Sequence, residues 1–259
     1  MKNLSLAKWR SGEHSIGAWV NLPDLHVAET LARMEFDWLC FDLQHGLLSY
    51  SHLLGLIPAI SGTDTTPLVR VESDSASGIG RALDAGAHGV IVPMVETAEQ
   101  AAAIVAACRY PPQGVRSCGP MRGLMLDGFA YLASANAEVA AIAMIETATG
   151  LENVEAIAAT EGLSALFVGP ADLCFGLGIM PGDFGNPAFT DAIARIVNAA
   201  RAAGIAVGLF GYSPEVASQA RAQGFDFVSA GTDVSFLRQG AAGALATTGG
   251  KAGEVRAGY

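Results

Sequence analysis

Short runs of β-branched and aromatic residues recur along the whole chain, separated by stretches rich in Ala, Leu and Glu with helical apolar spacing. The runs predict strands at Gly17 to Val20, Trp38 to Leu43, Pro67 to Val71, Gly89 to Val95, Ala141 to Thr147, Ala165 to Gly169, Ala206 to Gly211 and Phe225 to Ala230. Between them, segments such as HVAETLARM, ETAEQAAAIVAAC and AFTDAIARIVNAARAAG predict helices, each closing near a Gly able to end it. Strands that are apolar almost throughout must be covered on both faces, which is the condition of a parallel sheet closed on itself and wrapped in helices. The expected fold is therefore α/β, a (β/α)8 TIM barrel forming a single domain over residues 1–259. A doubly wound open sheet is the competing arrangement, but SGIGRALDAG does not complete the G-x-G-x-x-G turn such sheets carry. The longest interruption, residues 109–139, is expected to form an irregular loop with a short helix. The Gly-rich tail ATTGGKAGEVRAGY is expected to be flexible.

Composition narrows the function classes. The chain has 259 residues, 51% hydrophobic and 15% charged, with a formal net charge of −10. An acidic balance opposes a nucleic-acid surface, which gains affinity by exchanging counterions for clustered Lys and Arg. No apolar run is long enough for a membrane span and the start lacks a secretory signal, so a cytoplasmic protein acting on small molecules is expected, with no nucleic acid and no membrane as partner. Four scattered cysteines, Cys40, Cys108, Cys118 and Cys174, offer no C-x-x-C pair and read as reduced structural thiols.

In barrels the working groups stand where strands end at the carboxyl face. The polar residues breaking the apolar runs there include Asp42, Gln44 and His45 after the second strand, Arg70 in the third, Glu146 after the fifth and Asp172 after the sixth. Glu146 and Asp172 close adjacent strands. Two hard carboxylates converging at one mouth suit Mg2+ or Mn2+, with Co2+ as a further candidate, while the alternative is that both cap the helices that follow. Gly169, Pro170 and Ala171 lead into Asp172 at a predicted helix start, where unpaired N–H groups favour an anion such as a substrate carboxylate, or where Gly and Pro simply make a turn. Arg70 lies inside PLVRV, so its charge must reach the mouth or a partner carboxylate. The lysines are Lys2, Lys8 and Lys251, all near the termini. No Schiff-base amine stands among the strand ends, which removes lysine-dependent aldolases and leaves carbonyl activation to a metal.

These residues together resemble the class II, metal-dependent pyruvate aldolases of the HpcH/HpaI type. The likeness covers nearly the whole chain and rests on FDLQHG, PLVRV, LDAGAHGVIVPMVET, RYPPQGVRS, MIET and FVGPADL in that order. The resemblance implies reversible cleavage of 4-hydroxy-2-oxo acids to pyruvate or hydroxypyruvate and an aldehyde, through a metal-stabilised enolate. It implies Glu146 and Asp172 as metal ligands, His45 as the base acting through a metal-bound water, and Arg70 as the enolate's counter-charge. Asp84 would raise the basicity of His45, and Gly169, Pro170, Ala171 and Asp172 would seat the 2-oxo acid, with Ala171 and Asp172 offering backbone N–H groups to its carboxylate. A hexamer built as a trimer of dimers is implied as well, with the segment Arg116 to Gly123 reaching a neighbour's mouth. Arg109, Arg116 and Arg122 in or beside that segment are expected to draw in carboxylates or to make ordinary surface pairs. Two departures stand out. Met144 replaces a Gln that contacts substrate in many members, and Gln44 replaces a Glu found in some. Pocket-edge side chains such as Trp19, Leu209 and Tyr212 are candidates for tuning the aldehyde. The alternatives are a CoA-thioester lyase of the citrate-lyase β or malyl-CoA kind, and a catalytically silent small-molecule binder.

Overall fold

The computed structural model describes residues 1–250. Helix α1 (Leu4–Arg10) leads into β1 (Ser15–Val20), α2 (Leu25–Ala32), β2 (Trp38–Asp42), α3 (Tyr50–Ile60), β3 (Thr66–Arg70), α4 (Ala76–Asp84), β4 (Gly89–Val92) and α5 (Ala98–Cys108). The chain continues with α6 (Met121–Asp127), α7 (Ala130–Glu138), β5 (Ala140–Ile145), α8 (Ala148–Glu152), α9 (Val154–Ala158), β6 (Ala165–Val168) and α10 (Pro170–Gly176). It ends in α11 (Pro187–Ala203), β7 (Ala206–Leu209), α12 (Pro214–Ala220), β8 (Phe227–Thr232) and α13 (Asp233–Thr247). Every strand pairs in parallel with its sequence neighbours and β8 closes on β1, giving the expected (β/α)8 barrel. No described helix is long and apolar enough to cross a membrane.

Two apolar layers hold the barrel. Outward-facing residues such as Val69, Val90, Ile145 and Val207 pack against the helices, and inward-facing ones fill the interior with Trp19, Trp38, Leu68, Ile91, Met144, Phe167 and Phe227. Large interior rings fit because small residues face them: a Cβ at Gly17 would lie 2.0 Å from the Trp38 ring, and one at Gly208 would lie 2.4 Å from Phe227. Interiors are packed too densely to yield that space. Helix α1 closes the amino-terminal end of the barrel, with Trp9 stacked on Phe227 at 4.1 Å. Its N-cap is Asn3, whose side chain accepts from the Leu6 N–H at 2.9 Å.

Several strand ends differ from the apolar pattern. Strand β4 stops at Val92 instead of Val95, because Pro93 has no N–H for the ladder and Met94 turns into the left-handed region at φ 56°. Strand β8 runs to Thr232 and starts after Phe225, whose N–H closes the preceding turn onto the Ala220 carbonyl. The segment 109–139 holds two helices, α6 and α7, where a mostly irregular loop was expected; Tyr131 and Ala135 of α7 bury against Tyr110 in a small core of their own. Of the tail, α13 reaches Thr247, and positions 251–259 lie outside the described residues. The four cysteines are free thiols, three of them buried and Cys118 exposed.

Candidate active site

Register brings the strand-end residues together. Asp42 on β2 and Arg70 on β3 are direct neighbours across the ladder, and Met144 and Ile145 on β5 pair with Phe167 and Val168 on β6, so the next residues, Glu146 and Gly169, emerge side by side. Arg70 faces inward and is buried, with Nε donating to Asp42 Oδ1 at 2.9 Å and Nη2 to Oδ2 at 2.6 Å. This two-pronged fork fixes the guanidinium plane, which also lies 5.2 Å over the Trp19 ring. Burial pushes the Asp42 carboxyl upward, but the Arg70 guanidinium outweighs it, aided by the His45 backbone N–H, and holds the group below its ordinary value.

Glu146 is 2% exposed. Its Oε1 accepts from the Met94 N–H at 2.8 Å. The left-handed Met94 backbone is a conformation that side chains resist, and here it aims that N–H at the carboxylate. Burial raises the Glu146 pKa to about 7; the Met94 N–H and the Arg70 charge pull it down, while the negative charges of Asp172 and Asp42 push it further up. The second oxygen, Oε2, lies against the α-carbon of Gly169, where a Cβ would come within 2.3 Å of it and within 2.6 Å of Met144 Cε. Any larger residue at 169 would drive the carboxylate from its place.

Asp172 stands in the first turn of α10 and is exposed. The helix-capping alternative for the two acids does not hold: Thr147 caps α8 through its side-chain oxygen, and Gly169 is the N-cap of α10 with no side-chain bond. Pro170 at the first helical position has no N–H, so Ala171 and Asp172 supply the first donors of that turn. His45 follows β2 on the same carboxyl-terminal face and is exposed. In its turn the N–H groups of Gln44 and His45 both donate to Asp42 Oδ1, at 3.0 and 3.2 Å, and the Gln44 side-chain oxygen is buried with no hydrogen-bond partner among the described residues. Asp42 is thus the hinge of the site: one carboxylate orients both Arg70 and the turn that carries His45. Sequence reasoning marked it only as a polar strand end and missed that role, and it missed Met94 altogether.

Asp84 is not brought to His45 within one chain. It ends α4, which runs from the carboxyl face of β3 back to the amino face of β4, and its Oδ1 is held at 2.8 Å by Arg116 Nη2. Arg116 is buried between Tyr110 and Tyr131, its guanidinium 4.6 and 5.8 Å from their ring centres. The other two arginines of that region make structural contacts as well, Arg109 to the Gly162 carbonyl and Arg122 to the Ser61 hydroxyl.

The donor set fits a hard divalent cation. A buried carboxylate held up in pKa, with a second carboxylate adding repulsion, is relieved by a dication between them. Among the described residues no group of three or more His, Cys, Asp or Glu is placed to hold an ion, so water and substrate oxygens would complete its shell.

The HpcH/HpaI aldolase/citrate lyase family model matches residues 15–240 of the chain. The chain is 38% identical over 230 residues to a hydroxypyruvate/pyruvate aldolase of Rhizorhabdus wittichii, covering 88% of this chain and 92% of that one. It is 43% identical over 207 residues to a 4-hydroxy-2-oxovalerate aldolase of Novosphingobium aromaticivorans, covering 77% and 78%. A crystal structure of an HpcH/HpaI aldolase/citrate lyase family protein from Burkholderia cenocepacia superposes with a TM-score of 0.90 at 36% identity, covering 95% of this chain and 99% of the other.

Proposed function

This chain belongs to the HpcH/HpaI aldolase/citrate lyase family, and from that premise we propose that it is a divalent-metal-dependent pyruvate aldolase. It reversibly cleaves 4-hydroxy-2-oxo acids to pyruvate, or hydroxypyruvate, and an aldehyde. The observation that carries the reading is the pairing, at one barrel mouth, of the buried Glu146 and its neighbour Asp172 with the fixed Arg70 guanidinium. Glu146 and Asp172 would hold the cation, with Mg2+ or Mn2+ preferred for an all-oxygen set. When bound, the cation supplies Lewis acidity to the keto group of the 2-oxo acid.

The chain's own residues do the rest. The N–H groups of Ala171 and Asp172 bind the substrate carboxylate, with Gly169 and Pro170 shaping the turn. In the cleavage direction His45 takes the proton of the 4-hydroxyl, the C3–C4 bond breaks, and its electron pair moves toward C3 and the keto oxygen. Arg70, fixed by Asp42, faces the negative charge that develops there, and protonation at C3 then gives the methyl group of pyruvate. Asp84 can reach His45 only from a second copy of the chain, since within one chain it lies at the opposite end of the barrel. A homo-oligomer, with the hexamer as the expected form, provides that contact. Val115, Met121, Met125, Leu126 and Phe129, all exposed around α6, are an apolar surface such an assembly would cover. The reading places the enzyme in the cytoplasm.

Exchange of the pyruvate methyl protons with solvent deuterium tests the assignment without needing the aldehyde. Chelator-treated enzyme is expected to lose exchange and Mg2+ or Mn2+ to restore it; full exchange in metal-stripped protein would defeat the reading. Gly169→Ala probes the geometry more finely. By crowding Glu146 Oε2 it is expected to weaken Mn2+ binding roughly 10- to 100-fold with the fold intact, as losses around a ligand's support do. Paramagnetic titration with Mn2+ reads that affinity, and wild-type affinity in the variant would contradict the placement of Glu146.

A further inference from the structure

A cleft of about 560 Å³ lies at the amino-terminal end of the barrel, opposite the candidate active site. Helix α1 and the turns that lead into β6, β7 and β8 contribute its walls. Three arginines line it, Arg10, Arg109 and Arg201, against a single acid, Asp226. That acid is already committed, because Arg201 Nη1 and Nη2 hold its two carboxylate oxygens at 3.0 and 2.8 Å. Two positive charges are left unbalanced around one cleft of a chain whose net charge is −10.

Arg109 lacks a counter-charge. It is 8% exposed, and no carboxylate pairs with it among the described residues. Its guanidinium donates from Nη2 to the Gly162 carbonyl at a long 3.3 Å, and Nη1 is buried with no hydrogen-bond partner among the described residues. Burial lowers its pKa, and the positive charge of Arg10 adds to that effect. A buried charge so poorly paired is costly, and an unsatisfied buried donor calls for an ion or water that completes it. Arg10 is exposed and gives Nη2 to the Ala137 carbonyl at 2.8 Å. The Ser164 hydroxyl, also in the wall, accepts from the Ala141 N–H at 3.1 Å and has its own O–H left to donate.

We propose that this cleft binds a small oxyanion carrying two negative charges, a phosphate monoester or a dicarboxylate, with Arg109 as the buried anchor and Arg10 at the rim. A guanidinium presents its N–H groups as a fork that matches two oxygens of a phosphate or carboxylate. The bound anion supplies the counter-charge that the fold leaves out. The cleft has the volume of a small-metabolite site and is not confined to a bare ion. None of the residues assigned to the aldolase chemistry lines it, so it stands independently of that reading.

Isothermal titration of chelator-treated protein with inorganic phosphate and with succinate, each against sodium chloride at equal ionic strength, tests the site. The native protein is expected to bind at least one of the two, one ion per chain, with millimolar or tighter Kd. Phosphate alone assigns a phosphate ester, succinate alone a dicarboxylate, and binding of both assigns the dianion in general. Arg109→Met replaces the buried charge with an apolar chain, a change that buried ionic sites tolerate, and is expected to weaken binding roughly tenfold or more, the scale of a charge-assisted hydrogen bond. Arg10→Glu, on the exposed side of α1, leaves the core untouched and is expected to weaken binding as well; should the Met variant fail to fold, it alone decides. No binding of either anion beyond chloride, or native affinity in the variants, overturns the site. If the native protein binds neither anion and Arg109→Met breaks up the assembly in sedimentation velocity, the counter-charge is a carboxylate of a second copy and the proposal falls.

Discussion

Replacing Arg70 with Ala is expected to reduce pyruvate methyl exchange by about 10²-fold or more and to destabilise the fold at the same time. The loss of rate follows from removing the guanidinium that Asp42 holds at the mouth, comparable with deleting an oxyanion donor. The loss of stability comes from Asp42, which is fully buried and would be left charged without its partner. Removing one member of a buried pair costs about 3–5 kcal/mol. Arg70→Lys keeps a charge but not the fork on Oδ1 and Oδ2, so it should recover part of the stability and little of the rate. The pH dependence separates the two effects. In the native protein the Asp42 pKa is lowered, so its stabilisation is complete above the unfolded value of about 3.9 and fades only as pH falls through the native value. In the Ala variant only the turn N–H groups of Gln44 and His45 still oppose burial, so Asp42 takes up its proton at higher pH than in the native protein and the stability gap between the two proteins narrows on acidification. Urea denaturation across pH 3–7 measures this. A folded Ala variant with native exchange would remove Arg70 from the chemistry.

Glu146→Gln carries the second large effect and the opposite sign in stability. Loss of one of the two carboxylates proposed to hold the cation is expected to abolish Mn2+ binding at millimolar metal and to lower turnover roughly 10³-fold or more, the scale of Lewis-acid stabilisation worth several kcal/mol. The metal-free variant should nevertheless melt no lower than metal-free native protein. The amide oxygen still accepts from the Met94 N–H, the burial of a charge is removed, and so is its repulsion with Asp172 and Asp42. Calorimetry of both apo proteins checks the stability claim, and deuterium exchange with added Mn2+ checks the chemistry. Metal-dependent exchange persisting in the Gln variant would place the cation elsewhere.

Much of the site was legible because barrel strands carry so few polar residues. Glu146, Asp172, Arg70 and His45 each interrupt an apolar run at the point where a strand must end, and the closed parallel sheet then gathers all such points on one face. Asp42 was harder to read. In FDLQH it stands three residues before His45, and only the in-register pairing of β2 with β3 shows that it is the partner of Arg70. Met94 could not be read at all, since its contribution is a backbone N–H aimed by a left-handed turn, which leaves no trace in the side-chain type. Asp84 was marked by the resemblance alone; it belongs to the helix between β3 and β4, and a helix in this fold returns its last residue to the face opposite the one where its first residue began.

The sequence alone determined the alternation of eight apolar strands with helices, hence the barrel, and the absence of any lysine among the strand ends, hence chemistry without a covalent imine. Both are set by residues adjacent in the chain, where periodicity and residue type act locally. Only the tertiary structure decided that Arg70 is locked by Asp42 and that Glu146 sits buried against Gly169 with its pKa raised. These depend on register and on burial. Each is a sum over contacts between residues far apart in sequence, which local pattern does not encode.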